Sequence, residues 1–212
     1  MFLEVKHPLI EHKIGHLRNK QTSYQQFRML TDEIAMLLAY EATKNIQTQE
    51  IEIETPLEKT MVKNIQSDII LLPILRAGLG MVDGILRLIP NARVGHIGIY
   101  RNEETLEPNF YFFKIPKNKD GCQVILLDPM LATGGSAVYA IEKLKDLHIK
   151  GETKILQISL ICLVASPRGI KKVEETHPDV YIYCASLDRE LNAKGYILPG
   201  LGDAGDRIFG TQ

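Results

Sequence analysis

CQVILLDPMLATGGS, the stretch from Cys122 to Ser136, decides the fold. Its apolar run, Val124-Ile125-Leu126-Leu127, reads as a buried strand that stops at an acid, Asp128. A segment of small residues follows, Ala132-Thr133-Gly134-Gly135-Ser136, and then Ala137, Ala140, Ile141, Leu144 and Leu147 recur at helical spacing. Strand, acid, small-residue turn and helix together suit a phosphate. Glycines let backbone N–H groups approach an anion, Thr133 and Ser136 add hydroxyl donors, and a helix N-terminus favours negative charge. The carboxylate at the strand end suits sugar hydroxyls or a metal. The same turn is also common in α/β domains with no ligand there, so both readings stand at this point. No Lys follows the glycines as in a Walker loop, and the glycine spacing of a dinucleotide fold is absent.

The pattern recurs upstream. Ile69 to Pro73 reads as a second buried strand running into Ile74-Leu75-Arg76-Ala77-Gly78-Leu79-Gly80, then a helix carrying Met81, Val82, Ile85, Leu88 and Ile89. Arg76 in that turn is either a bidentate clamp on phosphate oxygens or an exposed surface arginine. Arg93 to Tyr100 is a third strand, ending at Arg101. Lys154 to Val164 and Val180 to Ala185 are two more, with Ser166-Pro167 opening a helix between them. Strands alternating with helices predict an α/β fold, a mostly parallel twisted sheet with helices on both faces. Ligands of such sheets bind beyond the carboxyl ends of the strands, where Arg76, Arg101 and Asp128 all fall.

Outward from this centre the chain is less explicit. Ser23 opens an amphipathic helix in which Phe27, Leu30, Ile34, Leu37 and Leu38 form a stripe to about Thr43. Before it, His7, His12 and His16 stand close together without a supporting acid or thiol cluster, and Met1 to Lys20 reads as a surface or interface segment. Glu50 to Thr55 alternates like a short strand. Residues 102–116, NEETLEPNFYFFKIP, put Phe110, Tyr111, Phe112 and Phe113 between two prolines and read as a projecting arm, a lid or a subunit contact. The chain has 212 residues, 45% hydrophobic, with net charge -1, which fits one domain, 1–212, and supplies no basic field for nucleic acid or membrane. Cys122, Cys162 and Cys184 sit in or beside apolar runs and read as buried thiols in a reducing cytoplasm.

The tail, Gly195 to Thr211, holds five glycines and two aspartates together with Tyr196, Ile197, Leu198, Ile208 and Phe209. Those apolar residues want burial. The segment reads as a rigid loop whose backbone groups face a small planar ligand.

Asp128-Pro129-Met130-Leu131-Ala132-Thr133-Gly134-Gly135-Ser136 resembles the ribosyl-phosphate loop of phosphoribosyltransferases. PILRAGLGMVDG (Pro73 to Gly84), ARVGHIGIYRNEETLEP (Ala92 to Pro108) and GYILPGLGDAGDRIFGT (Gly195 to Thr211) resemble further blocks of the uracil branch of that family, in the same order. The resemblance implies a phosphoribosyltransferase fold with a β-arm and a C-terminal hood over the base. It also implies the reaction of uracil with 5-phosphoribosyl 1-diphosphate (PRPP), giving UMP and pyrophosphate in pyrimidine salvage. On that resemblance, Thr133 to Ser136 would cradle the 5-phosphate and Asp128 would hold the ribose hydroxyls. Arg76 and Arg101 would meet the pyrophosphate. Ile197, Gly202, Asp203 and Ala204 would hold uracil, with Asp203 also reaching PRPP. Pro129 stands where many relatives carry a second acid, so Mg²⁺ would ride on PRPP and water rather than on protein ligands. A homodimer or higher homo-oligomer is implied, and GTP activates some members, although no motif here decides that.

The alternatives are a phosphoribosyltransferase for another base, which needs a different tail, and a pyrimidine-sensing RNA-binding regulator on the same fold. The second needs a basic face, against which a net charge of -1 speaks. Departure of pyrophosphate builds negative charge that preorganised cations stabilise, and losing one such donor costs on the order of 100- to 1000-fold in rate. Arg101→Ala should therefore lower turnover by about that factor while the circular dichroism of the folded chain is unchanged. Near-normal turnover would remove Arg101 from the site.

Overall fold

A computed structural model describes residues 1–101 and 108–211. In chain order the elements begin with β1 (Phe2–Glu4), α1 (Pro8–Arg18), α2 (Tyr24–Ala42), β2 (Thr48–Glu54), β3 (Lys59–Ile65) and β4 (Asp68–Leu75). A 3-10 turn (Ala77–Met81) leads to α3 (Val82–Leu88), β5 (Arg93–Val94), β6 (His96–Arg101), β7 (Pro108–Lys114), β8 (Cys122–Leu127) and β9 (Met130–Leu131). The remainder is α4 (Gly135–Ile149), β10 (Ile155–Ala165), α5 (Pro167–Thr176), β11 (Tyr181–Leu187), β12 (Glu190–Leu191), β13 (Ile197–Leu198) and α6 (Ala204–Phe209).

The main sheet runs β1-β11-β10-β8-β4-β6-β7 and is parallel except where β7 returns beside β6. Its central strands are apolar on both faces, as a parallel sheet under two helix layers requires. Successive residues alternate between the layers. Ile69, Leu71, Ile125, Leu127, Ile161 and Leu163 join the cluster under α1, α2, α3 and α6. Ile70, Leu72, Val124, Leu126, Leu160 and Cys162 join the cluster under α4 and α5. Neighbouring strands β4 and β8 run in register from Asp68↔Cys122 to Pro73↔Leu127. From those adjacent ends the chain leaves in opposite directions, into α3 on one face and α4 on the other. That divergence opens a crevice at the strand ends.

The expected strands and the helix from Ser23 are present. The Ser23 side chain caps α2 by accepting from the Gln26 N–H at 3.2 Å, and Ser166 caps α5 by accepting from the Gly169 N–H at 3.0 Å. The three cysteines are unpaired and buried, and burial pushes the Cys122 thiol up to about 11. Among the described residues no helix is long and apolar enough to cross a membrane.

Three expectations need correction. The Met1 to Lys20 segment is more than surface. The histidines are exposed, and His7 caps α1 rather than lying in it, but Ile10, Ile14 and Leu17 at spacings of four and three bury that helix in the core. The strand near Glu50 has a partner that the reading missed, since β3 pairs antiparallel with it from Thr48↔Ile65 to Glu54↔Lys59. The tail is not loop throughout. Asp203 caps the short helix α6 by accepting from the Asp206 N–H at 2.9 Å, and Gly210 ends it in the left-handed region.

The helix layer depends on one close approach. A β-carbon on Gly84 in α3 would collide with the Asp32 carbonyl of α2, whereas one on Gly15, exposed in α1, would meet nothing within 4 Å. Gly84→Ala should destabilise the protein by about 1–3 kcal/mol through overpacking. Gly15→Ala should stabilise it by about 0.5–1 kcal/mol through helix propensity. Urea denaturation of the two variants reads both signs, and equal shifts would contradict the packing account.

Candidate active site

The crevice is a cavity of about 970 Å³. Arg76, Asp128, residues 130–137, Ile197 and Asp203 line it together, so three separate sequence blocks meet at one place. Each arrives there for a local reason.

The small-residue loop is held from behind. Strand β10 is longer than its neighbour β8, and its end captures the loop that leaves β8. The Pro129 carbonyl accepts from the Leu163 and Val164 N–H groups at 3.0 and 3.1 Å. The Leu131 carbonyl accepts from the Ser166 N–H at 2.9 Å, and the Ala132 carbonyl from the Ser166 hydroxyl at 2.6 Å. Gly169 lets α5 come this close, because a β-carbon there would stand 2.6 Å from both the Leu131 and the Ala132 carbonyl oxygens. The carbonyls are thus spent on the scaffold side. Gly134, at φ 82°, turns the chain into α4, whose first intrahelical bond runs from Val138 N–H to the Gly134 carbonyl at 2.9 Å. The N–H groups of Gly135, Ser136 and Ala137 precede that bond and have no partner within the helix. Unpartnered N–H groups at the positive end of a helix of 15 residues are suited to an anion.

Asp128 stands at the end of β8 and keeps part of its side chain on the cavity. Its Oδ1 accepts a long bond from the Met130 N–H at 3.4 Å. Burial pushes its carboxyl up to about 7, against the smaller opposing effect of that N–H. Arg76 follows β4, and its side chain is 58% exposed. Its Nη2 donates to Asp206 Oδ1 at 3.3 Å and its Nη1 to the Thr211 hydroxyl oxygen at 3.4 Å. Gly78 permits the turn that carries Arg76, since a β-carbon there would run into the Leu127 carbonyl.

The wall also contains Tyr111 of the expected arm and residues that the sequence reading gave no role, Tyr100 among them. Tyr100 and Tyr111, from β6 and β7, line the cavity with ring centroids 6.2 Å apart. Tyr111 lies against β6 at Gly98, where a β-carbon would stand 2.5 Å from its ring. Phe110 turns instead to Tyr139 of α4, at 5.9 Å, and Phe113 packs on the core. The turn at residues 193–196 and Gly205 complete the wall. Tyr100 could have been found, because it ends a predicted strand beside Arg101; nothing in the sequence points to residues 193–194. Pro129, Gly202 and Ala204 lie beside the wall rather than on it, and Ala204 is fully buried. The Arg101 side chain, and the arm residues 102–107, lie outside the described residues.

Among the described residues no group of three His, Cys, Asp or Glu side chains is disposed to hold a metal. Among the described residues Asp128 and Asp203 are the carboxylates on the cavity wall, a donor set that fits Mg²⁺ only if phosphates and water supply most of the oxygens.

A family model described as uracil phosphoribosyltransferase matches residues 4–211. The chain belongs to the uracil phosphoribosyltransferase family. It is 55% identical to the uracil phosphoribosyltransferase of Lactococcus lactis subsp. cremoris over 212 residues, 100% of this chain and 99% of that one. It is 58% identical to that of Fervidobacterium nodosum over 213 residues, covering 100% of both. Among solved structures, the AQ2163 protein from Aquifex aeolicus superposes with a TM-score of 0.91 at 41% identity, over 99% of this chain and 98% of that one.

The raised Asp128 carboxyl has a testable sign. In the unfolded chain it ionises at the ordinary carboxylate value, 3.8, and in the fold near 7, so its ionisation opposes folding as pH rises between them. A ligand whose hydroxyls donate to Asp128 needs the carboxylate, so a proton competes with it below about 7. Affinity for ribose 5-phosphate should rise about tenfold from roughly pH 6 to 8, over and above titration of the ligand. Asp128→Asn should remove that excess in isothermal titration calorimetry, and identical pH profiles for the two proteins would exclude Asp128 from the ligand.

Proposed function

We propose that this chain carries out pyrimidine salvage, transferring the 5-phosphoribosyl group of PRPP to N1 of uracil with release of pyrophosphate. The observation that carries the reading is that the ribosyl-phosphate loop, the Arg76 turn and the tail share one cavity in a chain of this family. The whole chain, 1–212, acts as one domain, with an arm at about 102–116 and a base-binding tail at about 195–211.

The 5-phosphate sits on the N–H groups that open α4 and on the Thr133 and Ser136 hydroxyls. Asp128 accepts from the ribose hydroxyls and fixes the sugar between loop and tail. Arg76 and Arg101 face the pyrophosphate. Among the described residues Arg76 is held by an exposed pair with Asp206 and by Thr211, interactions worth about 0–1 kcal/mol, so a polyanion displaces them at small cost. The chemistry Mg²⁺ supplies when bound to PRPP is neutralisation of charge on the leaving group. As the bond from C1 to pyrophosphate lengthens, the ribose becomes cationic and the two arginines stabilise the departing oxygens. Uracil is held by backbone groups of the tail against Ile197. Of the two carboxylates that the described residues place on the wall, Asp203 is the one on the tail side. It is the group suited to receive the N1 proton, with Oδ1 engaged as the cap of α6. Closure of the arm over the cavity excludes water that would hydrolyse PRPP.

The same reading carries a homodimer or higher homo-oligomer, supported by Met29 and Tyr40, which α2 leaves exposed. A cytoplasmic location is supported by the three unpaired cysteines. Activation by GTP rests on the family resemblance alone.

UMP formation from PRPP and Mg²⁺, with uracil, cytosine, hypoxanthine and orotate each offered, should occur with uracil alone. Cytosine presents a donor and an acceptor reversed at N3 and C4, and each mismatched buried group costs about 1–3 kcal/mol. Comparable turnover of cytosine would overturn backbone recognition by the tail. Turnover of hypoxanthine or orotate in place of uracil would overturn the substrate.

A further inference from the structure

One buried ionic cluster lies outside the cavity and belongs to none of the roles above. Asp188 follows β11, its side chain is 2% exposed, and its N–H donates to the Ala165 carbonyl at the end of β10 at 2.8 Å. The carboxylate therefore stands on the rigid end of the sheet. Four donors surround it. Arg18 Nη2 reaches Oδ1 at 2.5 Å and Arg18 Nη1 reaches Oδ2 at 2.8 Å. The Ser186 hydroxyl donates to Oδ1 at 3.2 Å, and the Gly200 N–H to Oδ2 at 2.9 Å. Arg18 Nη1 donates again to the Gly200 carbonyl at 2.7 Å. Both backbone groups of Gly200 are thus captured by one ion pair.

A second arginine takes the next carbonyl. Arg207 Nη1 donates to Leu201 O at 2.8 Å and Nη2 to Asn19 O at 2.6 Å, while its guanidinium lies 4.3 Å from the Phe27 ring centroid. Arg18 and Asn19 are neighbours at the end of α1, so consecutive tail carbonyls are drawn to one place. The planar trans peptide turns each following N–H the opposite way. With the Gly200 and Leu201 carbonyls held, the N–H groups of Leu201 and Gly202 are directed away from the arginines.

A buried ion pair is a poor source of stability, because desolvation offsets most of its attraction, but it fixes geometry that apolar contacts leave free. We propose that Asp188 and Arg18 are positioning residues for the base. They lock the peptide groups of Gly200 and Leu201, assisted by Arg207, and so set the direction in which the tail presents its hydrogen-bonding groups to uracil. The inference rests on the tail being the uracil site and deepens that reading.

The test compares Arg18→Lys, Asp188→Asn and Ile197→Ala in steady-state assays with uracil and PRPP varied in turn, with thermal denaturation alongside. Arg18→Lys keeps the charge opposite Asp188 but cannot bond both carboxylate oxygens and the Gly200 carbonyl in the fork geometry of arginine. A positioning role raises the uracil KM about tenfold in Arg18→Lys and Asp188→Asn and leaves the PRPP KM within about twofold. If Asp188→Asn does not fold, Arg18→Lys decides alone. Parallel rises in both KM values, or an unchanged uracil KM in folded Arg18→Lys, overturn the proposal. A raised uracil KM in Ile197→Ala without one in Arg18→Lys removes the positioning role only. No rise in either variant removes the tail as the base site, and the positioning role with it.

Discussion

Burial of both faces of β4 and β8 is the constraint on which the site depends. Two adjacent parallel strands, each apolar on both sides, must be covered by separate helix layers. The chain leaving β4 goes to one layer and the chain leaving β8 goes to the other. The turns between strand and helix therefore separate at the strand ends, and the space between them is the cavity. Arg76 and Asp128 face that space because each is among the first residues after its strand. Their unlike environments follow from the same divergence. Arg76 sits on a turn open to solvent and holds its neighbours weakly. Asp128 sits at the end of a strand buried on both sides, where protein atoms replace the water that would stabilise its charge.

A loop on such a crevice must still be rigid if it is to present N–H groups to a phosphate. The overhang of β10 beyond β8 supplies that rigidity. Past the end of β8, β10 turns its Leu163 and Val164 donors to Pro129, and β9 extends the pairing as Val164↔Met130 and Ala165↔Leu131. Proline suits this position for a reason beyond the missing second acid. It needs no acceptor for its own nitrogen, while its carbonyl receives two N–H groups. The loop's carbonyls are fixed behind and its free donors lie ahead, a division that a helix N-terminus alone does not provide.

The elements legible in the sequence are those whose signal is local. The buried strands, the caps at Ser23 and Ser166 and the strand-turn-helix units at Arg76 and Asp128 all declare themselves within about a dozen residues. The misses have two causes. Some signals were present and outweighed: Ile10, Ile14 and Leu17 are spaced as a helix stripe, but the histidines among them drew the reading to the surface. Asp203 followed three residues later by Asp206, with Gly210 beyond, is a helix start and stop, but five glycines suggested loop. Other features have no local signal. Lys59 to Ile65 alternates too weakly to be read without its partner strand. Asp188 looks like any acid after a strand, because Arg18 lies 170 residues away and only the fold brings them together. The family blocks showed which residues share a site, but not what holds them there.

The two halves of the site are rigid by different means, and on the function proposed above the difference matches what each half reads. A phosphate is nearly symmetric, so a cradle of N–H groups at a helix end serves whichever oxygens it meets. A pyrimidine base is distinguished by the order of its donors and acceptors, so its partners must be unable to rotate. Side-chain amides and hydroxyls can turn over to suit a wrong base, whereas a peptide group whose carbonyl is held by an arginine cannot. Tying two of the tail's carbonyls to Arg18 and Arg207 converts a flexible glycine-rich segment into one with a single polarity. Glycine gives the tail its shape at Gly200, where φ is 61° and a β-carbon would collide with the Ile197 carbonyl. The arginines remove the freedom that glycine brings, and on the positioning role proposed above selection of the base then depends on cations that lie outside the cavity.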